Sequence, residues 1–362
     1  MRGGEKVLEV LCELFPDADL FTLVHRRGSV SATIERHRIH TSFVQRLPFG
    51  TARYRSYLPL FPVAIEQFAL DGYDLVVSSS HCAAKAVVVP GRARHISYCH
   101  SPMRYAWDQF EEYFGPGRVG PWMSRWCYRP LLARLARWDA ATAPRVHRFV
   151  ANSRHVAGRI RRYYNRDSTV VYPPVDTTFF HPSPAGTAAP APASALVVSA
   201  LVPYKRVDRA IDACAIAGLP LRIAGDGPDR ERLARQAGGT VTFLGRVSDE
   251  TLRDEYRAAR VVILPGEEDF GIAPLEAQAC GRPVVALARG GALETVKDGQ
   301  TGLLFSEPTA ESLADTLRAA LGWTFDESRI RDHAEGFSRA QHAERLRAVI
   351  DDTLAGPAGR QW

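Results

Sequence analysis

Short apolar runs of four to six residues alternate with stretches whose apolar positions recur every three or four residues, through both halves of the chain. Near the start, Val7, Leu8, Leu11, Leu14 and Phe15 follow helical spacing over residues 4–15, and residues 20–25 read as a buried strand. Residues 73–78 (YDLVVS), 95–98 and 148–151 are further short apolar strands, and Asn152-Ser153 reads as a helix cap ahead of residues 155–164. The pattern stops at residues 183–195, SPAGTAAPAPASA, whose composition suits a linker or variable loop. It then restarts, with strands expected at 196–200, 221–224, 241–244, 261–264, 283–286 and 303–305 and helices between them. Strands interleaved with helices imply parallel sheets with right-handed crossovers, so the expected fold class is α/β with two doubly wound domains. Ligands of such sheets sit at the carboxyl ends of strands, which directs attention to the loops that follow them. Residues 356–362 read as a frayed tail.

Length supports the same division, since 362 residues exceed one typical domain. Hydrophobic residues make up 46% and charged residues 24%, enough for a sizeable core. No apolar run approaches the roughly 20 residues of a membrane span, and Arg2, Glu5 and Lys6 interrupt any secretory signal at the start. The six cysteines are scattered without C-x-x-C or Cys/His metal spacing, so reduced thiols in a cytoplasmic protein are the expectation.

Charge adds a local feature. Residues 113–166 hold twelve Arg, no Lys and one acid, Asp139, a balance of +11 within a chain whose total is only +6. Trp122, Trp126, Leu131, Leu135 and Trp138 can line one helical face, with Arg125, Arg129, Arg134 and Arg137 around it and Pro121 and Pro130 interrupting any long helix. Two readings stay open: a core-facing helix with solvated Arg side chains, or a basic aromatic surface, within residues 118–166, that meets an anionic membrane. Nucleic-acid binding would need a known module, and none is found.

The richest candidate chemistry lies in residues 265–305, PGEEDFGIAPLEAQACGRPVVALARGGALETVKDGQTGLLF. Glu268 and Glu276 are separated by seven residues, with Phe270-Gly271-Ile272 between them at the start of an expected helix. Gly271 permits close approach of the backbone, and amides near Gly271, Ile272 and Ala273 would suit an anion. Glu276 falls in the first helical turn, where a carboxylate is favoured. On spacing alone a surface loop with a helix-capping acid explains these residues equally well. Gly225-Asp226-Gly227 begins a G-x-G pattern, but Arg230 stands where a third glycine would complete a nicotinamide-binding fingerprint. Asp17-Ala18-Asp19 formally matches a D-x-D metal motif but lies in a Pro-containing turn, and turn chemistry is the better reading.

E-x7-E followed by A-x-x-C-G-x-P-V-V-A and G-G-x-x-E-T-V-x-x-G-x-T-G-x-L-F resembles glycosyltransferase family 4, retaining enzymes of GT-B fold, in which two Rossmann-like domains face across a cleft. HISYCHSPMRYAWD at 95–108, YDLVVSSSHCAAK, VVYPPVD and VSALVPYKRVD extend the likeness, and resemble a subgroup linked to mannosyl transfer in bacterial surface-polysaccharide assembly. The resemblance implies a nucleotide-sugar donor, with GDP-mannose expected, and a glycan or lipid-linked saccharide acceptor, at the inner face of the cell membrane. It implies no cofactor and no metal. Residue by residue, it implies that Glu268 binds the transferred sugar's hydroxyls, Glu276 the ribose and Lys205 the diphosphate. His100 would face the donor sugar, Gly3-Gly4 would form a first loop near the phosphate, and Gly225 would flank the nucleotide. Gly245-Arg246-Val247 would underlie the base, and Gly290-Gly291 would open a loop towards the phosphates. Relatives often carry Arg where Ala200 stands, and Arg206 is the expected substitute. The expected domains are residues 1–180, a linker at 181–195, and 196–335, with a helix at 336–355 completing the first. Relatives have a strand and loop ahead of the R-G-G-E-K sequence, so the first strand of the N-terminal sheet is expected to be missing. The alternatives are an epimerase or hydrolase of the same fold, or a donor-binding paralogue without activity.

Overall fold

The computed structural model describes residues 3–184 and 194–356, so most of the expected linker and tail lie outside the described residues. The chain divides into two compact units: one runs to Pro174 and resumes at His342, and the other is Val175–Gln341.

In the first unit, β1 (Leu20–Thr22) pairs in parallel with β2 (Ile39–Thr41). Separately, β3 (Leu75–Ser80), β4 (Arg94–Cys99), β5 (Arg148–Ala151) and β6 (Ser168–Val170) form a parallel sheet in that order. The expected single sheet is therefore two sheets among the described residues, and side chains connect them: the Phe21 ring lies 5.8 Å from that of Tyr73, whose hydroxyl donates to Asp19. β1 is shorter than the expected strand because β2 offers only three residues to pair. The helix Gly3–Leu14 buries Val7 and Leu11 in a core with Ile96, Val150, Leu346 and Ile350, the last two from the helix Arg339–Ala355.

The second unit holds one six-stranded parallel sheet, ordered β12-β11-β10-β7-β8-β9. Its strands are β7 (Ala195–Val198), β8 (Leu221–Ala224), β9 (Val241–Gly245), β10 (Val261–Leu264), β11 (Val284–Leu287) and β12 (Gly302–Phe305). The four residues of β10 and of β11 are all buried, as continuous Val/Leu runs covered on both faces require. Residues 175–180, expected in the first domain, belong here. Val175 N–H donates to the Phe337 carbonyl and Arg339 N–H to that of Val175, while Phe180 packs edge-on to Tyr256.

The basic helical segment corrects a second expectation. Pro130 lies in the first turn of the helix Arg129–Ala141, and the preceding residues Met123–Tyr128 are π-helical. A proline has no N–H and crowds the carbonyl four residues back, and the wider π turn absorbs both conflicts without breaking the run. The expected single face therefore splits. Leu132 and Leu135 are buried against Met103, and Trp138 Nε1 donates to Glu66 at 3.1 Å, whereas Trp122 and Trp126 are outside.

Candidate functional site

The strand order of the second unit fixes where a site can form. Starting from β7, the chain adds β8 and β9 on one side, then returns to place β10, β11 and β12 on the other. The crevice of such a sheet lies at the carboxyl ends of the two strands flanking the reversal, here β7 and β10. The loops that follow them carry Lys205 and Glu268.

These two loops are built against each other. Lys205 ends the 3₁₀ turn Pro203–Lys205, and its Nζ forms an ion pair with Glu268 Oε1 that is mostly shielded from water, the side chains being 16% and 12% exposed. The Tyr204 ring lies 5.1 Å from the same Nζ. Gly266 lets the backbones close, because a Cβ there would sit 2.9 Å from the Tyr204 and Lys205 carbonyl oxygens. Beneath them the buried Arg209 guanidinium donates to the Pro265 carbonyl. Burial, then the nearby Arg206 charge, lowers the pKa of Arg209. Arg206 itself adopts a left-handed conformation (φ 53°) and pairs with Asp208 at 3.1 Å. The expected second phosphate cation is thus engaged by its neighbour, and Arg209 was missed because its spacing is that of a core helix position.

Gly271 (φ 86°) caps the helix Ile272–Ala279, whose first residues Ile272 and Ala273 are half-buried and whose later turns are buried. Glu276, 6% exposed, accepts a hydrogen bond at 2.9 Å from the hydroxyl of the fully buried Tyr256. Burial, then the adjacent carboxylate, raises the phenol's pKa well above its usual value, so Tyr256 remains a donor. The Phe270 ring is buried, its centroid 6.0 Å from that of Phe337. Gly290 and Gly291 press on the Glu268 loop. Their added Cβ atoms would lie 2.4 Å from the Glu268 carbonyl oxygen and 2.3 Å from Phe270 Cα, and Gly291 N–H donates to that carbonyl at 2.8 Å. Gly225 approaches the loop after β7 so closely that a Cβ would fall 1.9 Å from the Ser199 oxygen, and its N–H donates to Gly245. Arg246 is exposed, while Val247 packs on the core beneath.

In the first unit the carboxyl ends of β3, β4 and β5 converge on His100. Its Nε2 lies 2.8 Å from Ser79 Oγ, and its carbonyl accepts from Asn152 Nδ2 at 2.9 Å. Asn152 was expected to cap a helix, a role that Ser153 alone takes by accepting from Val156 N–H. Gly3 and Gly4 form the first turn of the opening helix rather than a loop, and a Cβ at Gly4 would lie 3.4 Å from His100 Nε2. Helix and histidine loop therefore pack against each other at Gly4. Asp19, from the D-x-D match, accepts from Tyr73 and lies 3.3 Å from Arg38 and 3.6 Å from His40. The Tyr73 hydrogen bond, then the Arg38 and His40 charges, hold its pKa down.

Residues 1–179 match the family Glycosyltransferase Family 4, and residues 186–334 match Glycosyl transferases group 1. Together they account for the two units in order. The fold is GT-B. The Anabaena protein Alr3699/HepE, solved in complex with UDP and glucose, aligns over 97% of this chain and 96% of its own with a TM-score of 0.68 and 19% identity. A sucrose-phosphate synthase of Thermosynechococcus elongatus aligns over 96% and 91% with a TM-score of 0.68 and 20% identity. In sequence, the chain is 34% identical over 230 residues to the D-inositol 3-phosphate glycosyltransferase of Rhodococcus erythropolis, covering 55% of this chain and 52% of that relative. It thus spans about half the length of the curated relatives it matches. No helix among the described residues is long and apolar enough to cross a membrane.

Proposed function

We propose that the chain is a retaining glycosyltransferase that moves a hexose from a nucleotide-sugar donor to a glycan or lipid-linked saccharide. The observation that carries this reading is the Lys205–Glu268 pair at the switch point of the second unit's sheet, with Glu276 held by Tyr256 on the adjoining helix. A nucleotide sugar offers both members of the pair a replacement partner. The diphosphate takes the Lys205 ammonium, and sugar hydroxyls take the Glu268 carboxylate. Lys205 then stabilises the negative charge that grows on the departing nucleoside diphosphate, where a fixed cation in a shielded site acts strongly. Glu276 accepts from the ribose with its orientation already set. Following the family resemblance, the acceptor attacks on the face that the diphosphate leaves, and a phosphate oxygen receives its proton, so no side-chain nucleophile is assigned.

The donor is the finer question. The HSPMRYAWD segment favours GDP-mannose through its resemblance, whereas the solved neighbour bound to UDP and glucose favours a UDP-hexose. Turnover of the full chain with a panel of nucleotide sugars decides between them. Glu268→Ala should lower transfer about a hundredfold or more, and unchanged transfer would overturn the site. Release of free sugar or an epimerised donor without acceptor would identify the hydrolase or epimerase reading instead. Because Lys205 supplies the cation, we also propose metal-independent catalysis: turnover should survive EDTA, and loss restored by added Mg²⁺ or Mn²⁺ would contradict this.

A further inference from the structure

We propose that the face bearing Trp122, Met123 and Trp126 docks on an anionic lipid bilayer. This inference concerns a surface of the first unit and stands apart from the donor chemistry of the second. Trp122 is 66% exposed, Trp126 63% and Met123 38%. The same helical run buries Leu132 and Leu135 against Met103, but neither tryptophan joins that cluster. The Trp126 ring instead meets the Arg125 guanidinium at 5.5 Å. The π turn at Met123–Tyr128 sets this division, directing the two indoles away from the side that the following helix buries.

The charge around them is mainly basic. Arg125, Arg134 and Arg137 are exposed, and none has a carboxylate partner among the described residues. Between Pro116 and Trp138 there is no acid. Of the nearest ones, Glu111 pairs with Arg129 of this same run at 2.7 Å, and the wholly buried Asp139 pairs with Lys85 at 3.1 Å. Trp122, Arg125, Trp126, Arg129, Ala133 and Arg137 are all exposed, which gathers indole and guanidinium along one helical run.

That combination selects its occupant. A second copy of the chain across a two-fold axis would set this Arg surface against itself. A neutral apolar partner would leave the guanidiniums without counter-charge. An anionic bilayer satisfies both halves, since indoles settle at the headgroup level and each basic side chain near the surface gains from the negative potential.

Co-sedimentation of the full chain with vesicles tests this, comparing pure phosphatidylcholine with about three parts phosphatidylcholine to one of phosphatidylglycerol. Binding is expected to the anionic vesicles and to weaken at high salt. The double substitution Trp122→Ala/Trp126→Ala should weaken it roughly tenfold or more, and Arg125→Gln/Arg134→Gln roughly fivefold for each charge removed. Both variants should keep the wild-type melting temperature, and brominated lipid should quench Trp122 and Trp126 in a background where the other tryptophans are phenylalanine. Absence of binding, equal binding to neutral vesicles, binding unaffected by the tryptophan substitutions, or tighter binding to single-stranded polyuridine than to vesicles would each overturn the proposal.

Discussion

The ion pair between Lys205 and Glu268 looks at first like a stabilising contact, but its setting argues for exchange. Two mostly shielded charges hold each other only until a better-matched ligand arrives, since shielding makes an uncompensated charge costly to either. Tyr256 plays a different part, fixing Glu276 by a hydrogen bond to a charged group, a class worth about 1.5–3 kcal/mol. Tyr256→Phe should therefore raise the dissociation constant of nucleoside diphosphates by roughly tenfold or more. Calorimetric titration checks this, with a 3′-deoxynucleotide as control. If Glu276 binds the ribose, the variant's deficit should shrink for the deoxy ligand, and an equal deficit for both would assign Tyr256 to structure alone. Glu268, Glu276 and Lys205 were singled out in the sequence by the family resemblance, because spacing alone fits a capped surface loop equally well. Tyr256 and Arg209 were not, because their helical positions are those of ordinary core residues, and only the fold shows what their polar ends reach.

At the scale of elements, the strands of the second unit were legible almost to the residue, because buried parallel strands are continuous apolar runs. In the first unit β2 was missed: IHT is too short and polar to stand out, and its strand character comes from pairing with β1. The π turn was hidden for a similar reason, since proline signals conflict with a helix but not how the chain resolves it. Two element-scale predictions concern the four-stranded sheet and its helices. Lys85, from the turn after β3, reaches the Asp139 carboxylate, Thr142 at 3.0 Å and the Tyr164 ring at 4.6 Å, all within the interior. Lys85→Met leaves a buried carboxylate without its cation and should destabilise the protein by about 3–5 kcal/mol, read from denaturant midpoints. His95, in the middle of the same sheet against Ser78, is pushed down by burial to about 3. Its neutral form is the folded form, so the unfolded chain takes up the extra proton. Stability from this group is fully present above the unfolded pKa near 6.5 and is lost as pH falls towards 3. By pH 5 the loss is about 2 kcal/mol, and His95→Gln should show a correspondingly smaller fall in midpoint between about pH 7.5 and 5.

For the whole molecule, the modest net charge of +6 conceals a strong asymmetry, because the +11 of residues 113–166 is offset elsewhere. Each unit carries its own constellation at the carboxyl ends of its strands: His100, Ser79 and Asn152 in the first, Lys205, Glu268 and Glu276 in the second. The alternation of strands and helices foretold this two-unit plan, but it placed the boundary at 180. The tie between Val175 and Ser338, distant in sequence, moves it to 174/175 and leaves no local signal. The central claim is that the second constellation grips a nucleotide sugar by exchanging the Lys205–Glu268 pair for diphosphate and hydroxyls. Its most direct test is calorimetric titration of wild type, Lys205→Ala and Glu268→Gln with a nucleotide sugar that is turned over and with the matching nucleoside diphosphate. The account predicts that Lys205→Ala weakens both ligands, while Glu268→Gln weakens the nucleotide sugar and leaves the diphosphate bound as well or more tightly, since Lys205 no longer has to leave a carboxylate. Equal affinities across all three proteins, or a Glu268→Gln loss that is the same with and without the sugar, would contradict it.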